Sequence, residues 1–220
     1  MELLLPKALV GEKSGPTDPI LYYYSGWGLG KIFRRRVEMG LEMITDLRVG
    51  ARVLEVGYGA GLVLYNLARP GRELYGLDLD ADPVGISEKL KRLGVSAQLS
   101  RGSVLDMQNL YPDGFFDLVV CFSTLEHIAE ARQALAEMKR VTNSGGCLLI
   151  GMPAVNRFME LAFQAIGFKN IHDHHCMTPA EVWNLILQKK WRAKRRQLPA
   201  GVPFAAALYH TFFLRNEERG

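Results

Sequence analysis

Hydrophobic residues recur at two different periods along this chain, and the two periods alternate. Between residues 31 and 47 the apolar positions stand three or four residues apart, which predicts an amphipathic helix. Residues 52–56 form a short apolar run that ends in glycines, which is typical of a buried strand. The alternation continues to residue 150, with further strands predicted at 74–78, 96–100, 116–121 and 147–150 and further helices at 60–69, 82–93 and 128–141.

The last third of the chain continues the alternation less regularly. The segment 178–181, Thr-Pro-Ala-Glu, has the form of a capping box and predicts a helix start, and strands are predicted at 192–197 and 209–215. Apolar strands that alternate with helices are typical of a parallel sheet covered on both faces. We therefore predict one α/β domain: a Rossmann-like, doubly wound, mostly parallel sheet of seven strands, with helices on both faces and an N-terminal helical extension.

Composition excludes several classes of protein. With 220 residues, of which 48% are hydrophobic and 23% charged, the chain is too apolar to be intrinsically disordered and long enough for a full core. Cys121, Cys147 and Cys176 are scattered and odd in number, as in reduced proteins. The acidic Glu2 does not fit a secretion signal. The uncharged stretch 197–214 contains prolines and a histidine, so we expect no membrane-spanning helix and predict a soluble cytoplasmic protein.

The candidate chemistry begins at a glycine-rich turn directly after the first predicted strand. Gly57, Gly59 and Gly61 allow a sharp turn, positive φ angles and close approach of a ligand to the backbone. Asp78 follows Gly57 by 21 residues, at a strand end where an acid can accept hydrogen bonds from ribose hydroxyls. The dinucleotide fingerprint needs a small residue where this chain has Leu62. The pattern predicts an adenosine site; an ordinary tight turn and an ordinary strand-end aspartate are the alternatives.

Four segments stand together in the order and spacing of a known family. They are 54–61, 76–78, 116–119 and 125–128, which read Leu-Glu-Val-Gly-Tyr-Gly-Ala-Gly, Gly-Leu-Asp, Phe-Asp-Leu-Val and Leu-Glu-His-Ile. In these motifs the chain resembles the class I S-adenosylmethionine-dependent methyltransferases, above all the small-molecule branch with its type 11 and ubiquinone-biosynthesis groups. The resemblance implies a single methyltransferase domain with an N-terminal helical extension or lid (1–49), a cofactor-binding core (50–152), and an acceptor-side insertion with the last two strands (153–220).

The resemblance also implies S-adenosylmethionine as the cofactor, S-adenosylhomocysteine as its product, and a set of cofactor-binding residues. These residues are Glu55, Gly57, Tyr58, Gly59, Gly61, Asp78, Leu79, Ser103, Val104 and Phe122. The glycines would pass under the methionine and ribose, Glu55 would hold the amino group, Asp78 would bind the ribose, and Leu79 would lie against adenine. Ser103 stands where the family often has an acid for the adenine amino group, so backbone N–H groups or Asp106 are alternative partners for adenine.

The resemblance places residues 122–124 beside the transferable methyl group. In-line displacement from a sulfonium has a good neutral leaving group, so orientation can supply most of the catalysis, and a base is needed only when the acceptor must lose a proton. His127 is the best-placed candidate for that base, because it follows the fourth strand and titrates near neutral pH. The alternative is a structural histidine.

The flanking segments bear on the methyl acceptor. Aromatic segments at 22–27 and 158–168 lie where the family commonly places a lid, and they favour a small apolar or aromatic acceptor, although such residues also build cores. The family's nucleobase-amine enzymes carry Asn/Asp-Pro-Pro-aromatic where this chain has Cys-Phe-Ser-Thr at 121–124, which argues against nucleic acid. The His-Asp-His-His-Cys segment at 172–176 is too bunched for a metal site, and we predict no metal.

Basic residues give a net charge of +4 and a pI of about 9.0. Most of the excess lies in two runs outside the cofactor motifs, at 34–36 and 189–196, so the pI is poor evidence for a nucleic-acid substrate. The second run fits phosphates, peripheral contact with an anionic membrane, or the solvated cations of an edge strand.

Together these features predict a methyltransferase that acts on an oxygen or carbon of a small molecule. A nicotinamide-dependent oxidoreductase is the first alternative, and Leu62 and the Leu-Glu-His-Ile segment argue against it. A non-catalytic scaffold or RNA-binding module is the second, and the intact glycine turn with Asp78 argues against that.

Overall fold

The computed structural model describes residues 2–9, 20–26, 28–45, 47–154, 176–188 and 191–216. The strands are β1 Arg52–Val56, β2 Glu73–Asp78, β3 Ala97–Arg101, β4 Phe116–Phe122, β5 Thr142–Pro153, β6 Arg192–Leu198 and β7 Tyr209–Arg215. The helices are α1 Ile20–Tyr23, α2 Leu29–Leu41, α3 Leu62–Leu67, α4 Pro83–Arg92, α5 Ala131–Val141 and α6 Pro179–Gln188. Short 3₁₀ helices lie at Lys7–Leu9, Val104–Asn109, Leu125–His127 and Phe204–Ala206.

The seven strands form one sheet in the order β3-β2-β1-β4-β5-β7-β6. Strands β1 to β5 are parallel, and β7 runs antiparallel to both β5 and β6. The predicted doubly wound, mostly parallel sheet is therefore confirmed. The strand order reverses between β1 and β4, and ligands of such sheets bind in the crevice at the carboxyl ends of the strands beside this point.

Local signals in the sequence account for several element boundaries. Asp82 caps α4, because its carboxylate accepts hydrogen bonds from the Val84 and Gly85 N–H groups at 3.0 and 3.1 Å. At the start of α6 the carboxylate of Glu181 accepts the Thr178 N–H at 2.8 Å, while the Thr178 hydroxyl accepts the Glu181 N–H at 3.3 Å. The predicted capping box is thus present.

Two predicted boundaries are wrong. The helix predicted for residues 31–47 ends at Leu41, where i→i−3 bonds replace the α-helical ones: the N–H of Met43 donates to the Gly40 carbonyl at 2.9 Å. Strand β5 starts at Thr142 instead of residue 147, and its pairing with β4 passes from Thr142 directly to Cys147. The glycines at 145 and 146 therefore form an irregular interruption within a strand rather than a turn before it.

The core consists of two apolar layers, one on each face of the sheet. One layer packs α1 to α4 against alternate strand residues such as Val53 and Val120, and the other packs α5, α6 and the 3₁₀ helix Val104–Asn109 against Leu54 and Val119. Strand β6, the basic strand, lies at the edge of the sheet. Within the described ranges, no helix is both long and apolar enough to cross a bilayer.

Candidate active site

A cavity of about 470 Å³ opens at the carboxyl ends of β1, β2 and β4. Its wall includes the candidate base His127 and nine of the ten residues predicted to bind a cofactor. The nine are Glu55, Gly57, Tyr58, Gly59, Asp78, Leu79, Ser103, Val104 and Phe122. The fold therefore brings together residues that are up to 72 positions apart in sequence, from 55 to 127.

The glycine turn has the backbone geometry that its sequence predicts. Gly57 and Gly59 have φ angles of 77° and 48°, in the left-handed region that favours glycine. The Gly57 N–H donates to the Leu77 carbonyl at 2.7 Å, which joins the turn to β2. A Cβ atom on Gly57 would overlap the Thr124 side chain, so a larger residue cannot be accommodated without displacing the loop after β4.

Gly61 stands apart from the other two glycines because it does not line the cavity. It precedes α3 with a φ of 79°, and a Cβ atom there would lie 3.1 Å from the Ile86 side chain. This position thus allows close packing between α3 and α4.

The Asp78 carboxylate is fixed by three backbone N–H groups. Its Oδ1 accepts from Asp80 and Ala81, and its Oδ2 accepts from Gly59, all at 2.9 Å. The glycine turn and the end of β2 therefore hold this side chain in one orientation at the cavity wall. Because Oδ2 accepts only one of these bonds, it keeps lone-pair capacity for a hydroxyl of a ligand.

The neighbouring end of the cavity is more open and more apolar. Leu79 is 61% exposed and lines the cavity beside Val104, which is buried. Ser103 caps the 3₁₀ helix Val104–Asn109, and its hydroxyl accepts the Leu105 N–H at 3.1 Å. Asp106, considered as an alternative adenine partner, does not line the cavity and instead accepts a hydrogen bond from the Asn109 amide at 2.7 Å.

The floor of the cavity is formed by buried side chains. Glu55 is 3% exposed and Tyr58 is 2% exposed, and burial raises the pKa of the Tyr58 phenol, so the hydroxyl stays protonated. The Phe122 ring lies close to the backbone of Gly40 and Gly151, where a Cβ atom on either glycine would overlap it. These glycines let α2 and β5 approach the end of β4.

Arg36 also lines the cavity, although the motifs do not point to it. It lies on α2, its side chain is only 7% exposed, and its guanidinium stacks 3.9 Å above the Phe33 ring. One guanidinium nitrogen donates to the Tyr23 hydroxyl at 3.2 Å, whereas Nε is buried and has no hydrogen-bond partner in the part of the chain that the structure describes. The run 34–36 lies outside the cofactor motifs in sequence, but the fold brings Arg36, which follows Phe33 by three residues on the buried helix face, to the cavity wall. A cation at an apolar helical position is the signal that could have found it.

The end of the cavity opposite Leu79 carries polar groups. Ser123 and His127 line it, and the Nε2 atom of His127 lies 4.0 Å from a carboxylate oxygen of Glu126. Glu126 is 1% exposed, and burial raises the pKa of its carboxyl to about 8, while the charge of Arg36 acts in the opposite direction. Burial therefore favours the protonated form of the Glu126 carboxyl, although the nearby Arg36 charge opposes this.

Comparison with known proteins shows which family the sequence around this cavity matches. Residues 54–150 match the family model described as a methyltransferase domain. Residues 54–150 therefore carry a methyltransferase domain. The resemblance drawn from the four motifs is thus confirmed.

Curated relatives of this methyltransferase domain include ubiquinone biosynthesis O-methyltransferases. The protein from Aeromonas salmonicida is 29% identical over 157 residues, which cover 64% of this chain and 64% of that protein. The protein from Dechloromonas aromatica is 33% identical over 98 residues, which cover 44% of this chain and 42% of that protein. The chain thus spans less than two thirds of the length of these relatives.

Solved structures share the fold of the methyltransferase domain. The YcgJ protein from Bacillus subtilis superposes with a TM-score of 0.64 at 15% identity, covering 84% of this chain and 99% of that chain. The cyclase SpnF superposes with a TM-score of 0.68 at 16% identity, covering 89% of this chain and 86% of that chain. Because a cyclase shares it, the fold alone does not determine the reaction.

Some predicted features lie outside the described residues. These are the aromatic segment 158–168, Trp27 of the segment 22–27, and the histidines of the segment 172–176. Of the segment 22–27, Tyr23 lines the cavity. Within the described part of the chain, no cluster of three or more histidine, cysteine, aspartate or glutamate residues could hold a metal ion.

Proposed function

We propose that this protein uses S-adenosylmethionine to methylate an oxygen atom of a small molecule. The observation that carries the proposal is that Asp78, Arg36 and the glycine turn all line one cavity. An adenosine needs an acceptor for its ribose hydroxyls, and the amino-acid part of the cofactor needs a cation for its carboxylate. The names of the curated relatives support oxygen as the methylated atom.

The residues present fit the cofactor at both ends. Asp78 would bind the ribose, with Leu79 and Val104 against the adenine and Ser103 at its edge, and the Gly57–Gly59 backbone would pass beneath the ligand. Arg36 would bind the methionine carboxylate through its buried guanidinium, and Glu55 would face the amino group. When bound, S-adenosylmethionine supplies an electrophilic methyl group. Gly61 supports the turn from outside the cavity.

The protein's own residues contribute to the reaction chiefly by orienting the bound ligands. A rigid turn, a fixed carboxylate and a buried cation hold a ligand in one pose, and such preorganisation is the main source of acceleration in a displacement of this kind. His127 is proposed to take the proton of the acceptor hydroxyl, because it lines the cavity and is partly exposed, so the proton can pass on to solvent. The acceptor is proposed to be small and apolar or aromatic, in keeping with Ile20 and Tyr23 at the wall.

A cytoplasmic location is part of the same proposal. Cys121, Cys147 and Cys176 are free thiols, as expected of a reducing compartment. Arginines of the edge strand β6 are exposed and make local contacts, Arg196 with Glu42 at 3.2 Å among them, which supports solvated edge-strand cations over a nucleic-acid surface.

Calorimetric titration tests the cofactor assignment. We expect the purified protein to bind S-adenosylhomocysteine and not NAD, because Leu62 fills the place of the small residue that the dinucleotide turn needs. Binding of NAD without S-adenosylhomocysteine would overturn the proposal.

A further inference from the structure

Two hydroxyl groups meet at the end of the cavity where the resemblance places the transferable methyl group. The Ser123 Oγ and the Tyr209 Oη are 3.2 Å apart, with Ser123 on the cavity wall and Tyr209 on β7 behind it. The two residues are 86 positions apart in sequence. Neither belongs to the predicted cofactor set, and the pair has no role in holding the adenosine.

The backbone at Ser123 is strained. Its φ of 50° lies in the left-handed region, and among the described residues other than glycine it is the one with a positive φ. Its N–H donates to the Gly151 carbonyl at 2.7 Å, which holds the residue in place at the end of β4. Strained residues of this kind persist where the surrounding structure fixes them, often at functional sites, because the strain directs a side chain.

The direction of the hydrogen bond follows from the burial of Tyr209. This side chain is 2% exposed, and burial raises the pKa of its phenol, so the hydroxyl keeps its proton. Within the described residues, Ser123 is the hydrogen-bond partner of that hydroxyl. A buried hydrogen-bond donor left without an acceptor costs about 1–3 kcal/mol. The Tyr209 hydroxyl therefore donates, and the Ser123 hydroxyl accepts.

The hydrogen of the Ser123 hydroxyl is then free to point into the cavity. A hydroxyl that accepts from Tyr209 cannot also donate back to it, and Ser123 is partly exposed toward the cavity while Tyr209 is enclosed. The Arg36 guanidinium, 5.3 Å from the Tyr209 ring, favours donation by the phenol. The site therefore presents a preoriented donor next to Phe122, where the resemblance places the transferable methyl group.

We propose that Ser123, oriented by Tyr209, positions the methyl acceptor by donating a hydrogen bond to the acceptor oxygen once that oxygen has lost its proton. The inference rests on the proposed function and names a residue that binds the acceptor at the same site, for which 4-nitrophenolate serves as the probe. A donor hydroxyl favours an oxygen that has lost its proton, because hydrogen bonds to charged acceptors are stronger. Ser123 is the binding residue, and Tyr209 is a positioning residue that acts through it.

The test uses 4-nitrophenol, whose ionisation is visible by absorbance, with the full chain saturated by S-adenosylhomocysteine. We expect wild-type protein to bind the phenolate and to lower the pKa of the bound phenol. Ser123→Ala and Ser123→Gly should both weaken phenolate binding by about tenfold or more, the loss expected for one hydrogen bond to a charged group. Glycine also relieves the backbone strain, so Ser123→Gly should melt at or above the wild-type temperature, which separates a lost hydroxyl from a damaged fold.

Two β7 variants test the role of Tyr209. Tyr209→Phe should weaken binding of the phenolate and raise the pKa of the bound phenol, whereas Thr211→Val is the matched control. Thr211 is buried on the same strand, two residues on, and its hydroxyl has no hydrogen-bond partner within the described ranges, so its removal should leave both measurements unchanged. The charged and titratable neighbours Arg36, Glu126 and His127 are kept in all four variants.

Each outcome is decisive. If S-adenosylhomocysteine binds but 4-nitrophenolate does not, or if Ser123→Ala binds it within twofold of wild type, the inference fails while the proposed function stands. If Tyr209→Phe equals wild type, the positioning role of Tyr209 is wrong. If S-adenosylhomocysteine itself does not bind, the proposed function has failed first.

Discussion

Replacement of Arg36 by methionine tests whether the buried guanidinium holds the carboxylate of the cofactor. The side chain is 7% exposed, lines the cavity, and keeps one nitrogen, Nε, without a hydrogen-bond partner among the described residues. Methionine has a similar length and fills the same space against Phe33, but it removes the charge and the hydrogen-bond donors. We expect the fold to survive and the affinity for S-adenosylhomocysteine to fall.

The magnitude follows from opposing contributions. For folding, the variant loses a stacking contact at 3.9 Å, worth about 2 kcal/mol when desolvated, and the hydrogen bond to Tyr23. It also removes the desolvation cost of a buried ion, which is several kcal/mol, so these effects largely cancel. For binding, one hydrogen bond to a charged group contributes about 1.5–3 kcal/mol, which corresponds to a tenfold to hundredfold rise in Kd.

Calorimetry with two ligands gives the assay its control. S-adenosylhomocysteine carries the amino-acid carboxylate, whereas 5′-methylthioadenosine keeps the adenosine and lacks the amino acid. Arg36→Met should weaken binding of S-adenosylhomocysteine and leave binding of 5′-methylthioadenosine unchanged. The affinity of Arg36→Lys for S-adenosylhomocysteine should fall between those of wild type and Arg36→Met. Equal losses for both ligands, or no loss for either, would refute the assignment of Arg36 to the carboxylate.

Three further predictions concern other parts of the site and the core. Asp78→Ala should weaken binding of both adenosine ligands by tenfold or more, since a lost buried hydrogen bond costs about 1–3 kcal/mol. Asp80→Ala removes an exposed carboxylate and should leave both affinities unchanged. Equal losses of affinity for the two variants in calorimetry would contradict this prediction. Gly40→Ala should lower the free energy of unfolding measured in urea, because the new Cβ would lie 2.5 Å from the Phe122 ring. Overpacking costs about 1–3 kcal/mol, which exceeds the gain of about 1 kcal/mol from replacing glycine by alanine in a helix. A stabilised variant would show that Phe122 moves freely. Glu126 keeps its proton in the folded state up to about pH 8 but loses it above about pH 4.5 when unfolded, so wild-type stability should fall as pH rises between these values. Glu126→Gln should reduce that slope in urea melts at pH 5.5, 7 and 8.5, and an unchanged slope would mean that Glu126 ionises freely in the folded protein.

The sequence by itself determined the sheet and most of the cofactor side of the cavity. Strand and helix positions follow from the period of apolar residues, and the glycine turn and Asp78 follow from backbone requirements that few other residues meet. The resemblance to the family implied Leu79, Ser103 and Phe122, and all three line the cavity, because parallel strands present their carboxyl ends at one edge. The motif could not show that Gly61 faces α4, since the three glycines are alike in sequence.

Only the tertiary structure decided which side chains from distant elements meet around the cavity. Arg36 on α2, Ser123 after β4 and Tyr209 on β7 come from three elements whose approach depends on long-range packing over Gly40 and Gly151. The buried state of Glu126, and with it the raised pKa, likewise exists only once these layers close. Local pattern records which face of an element is apolar, but not which distant polar groups that face will meet. For that physical reason the glycine turn and Asp78 were predictable from motifs, whereas the approach of Arg36 to the cavity, the Ser123–Tyr209 contact and the burial of Glu126 were not.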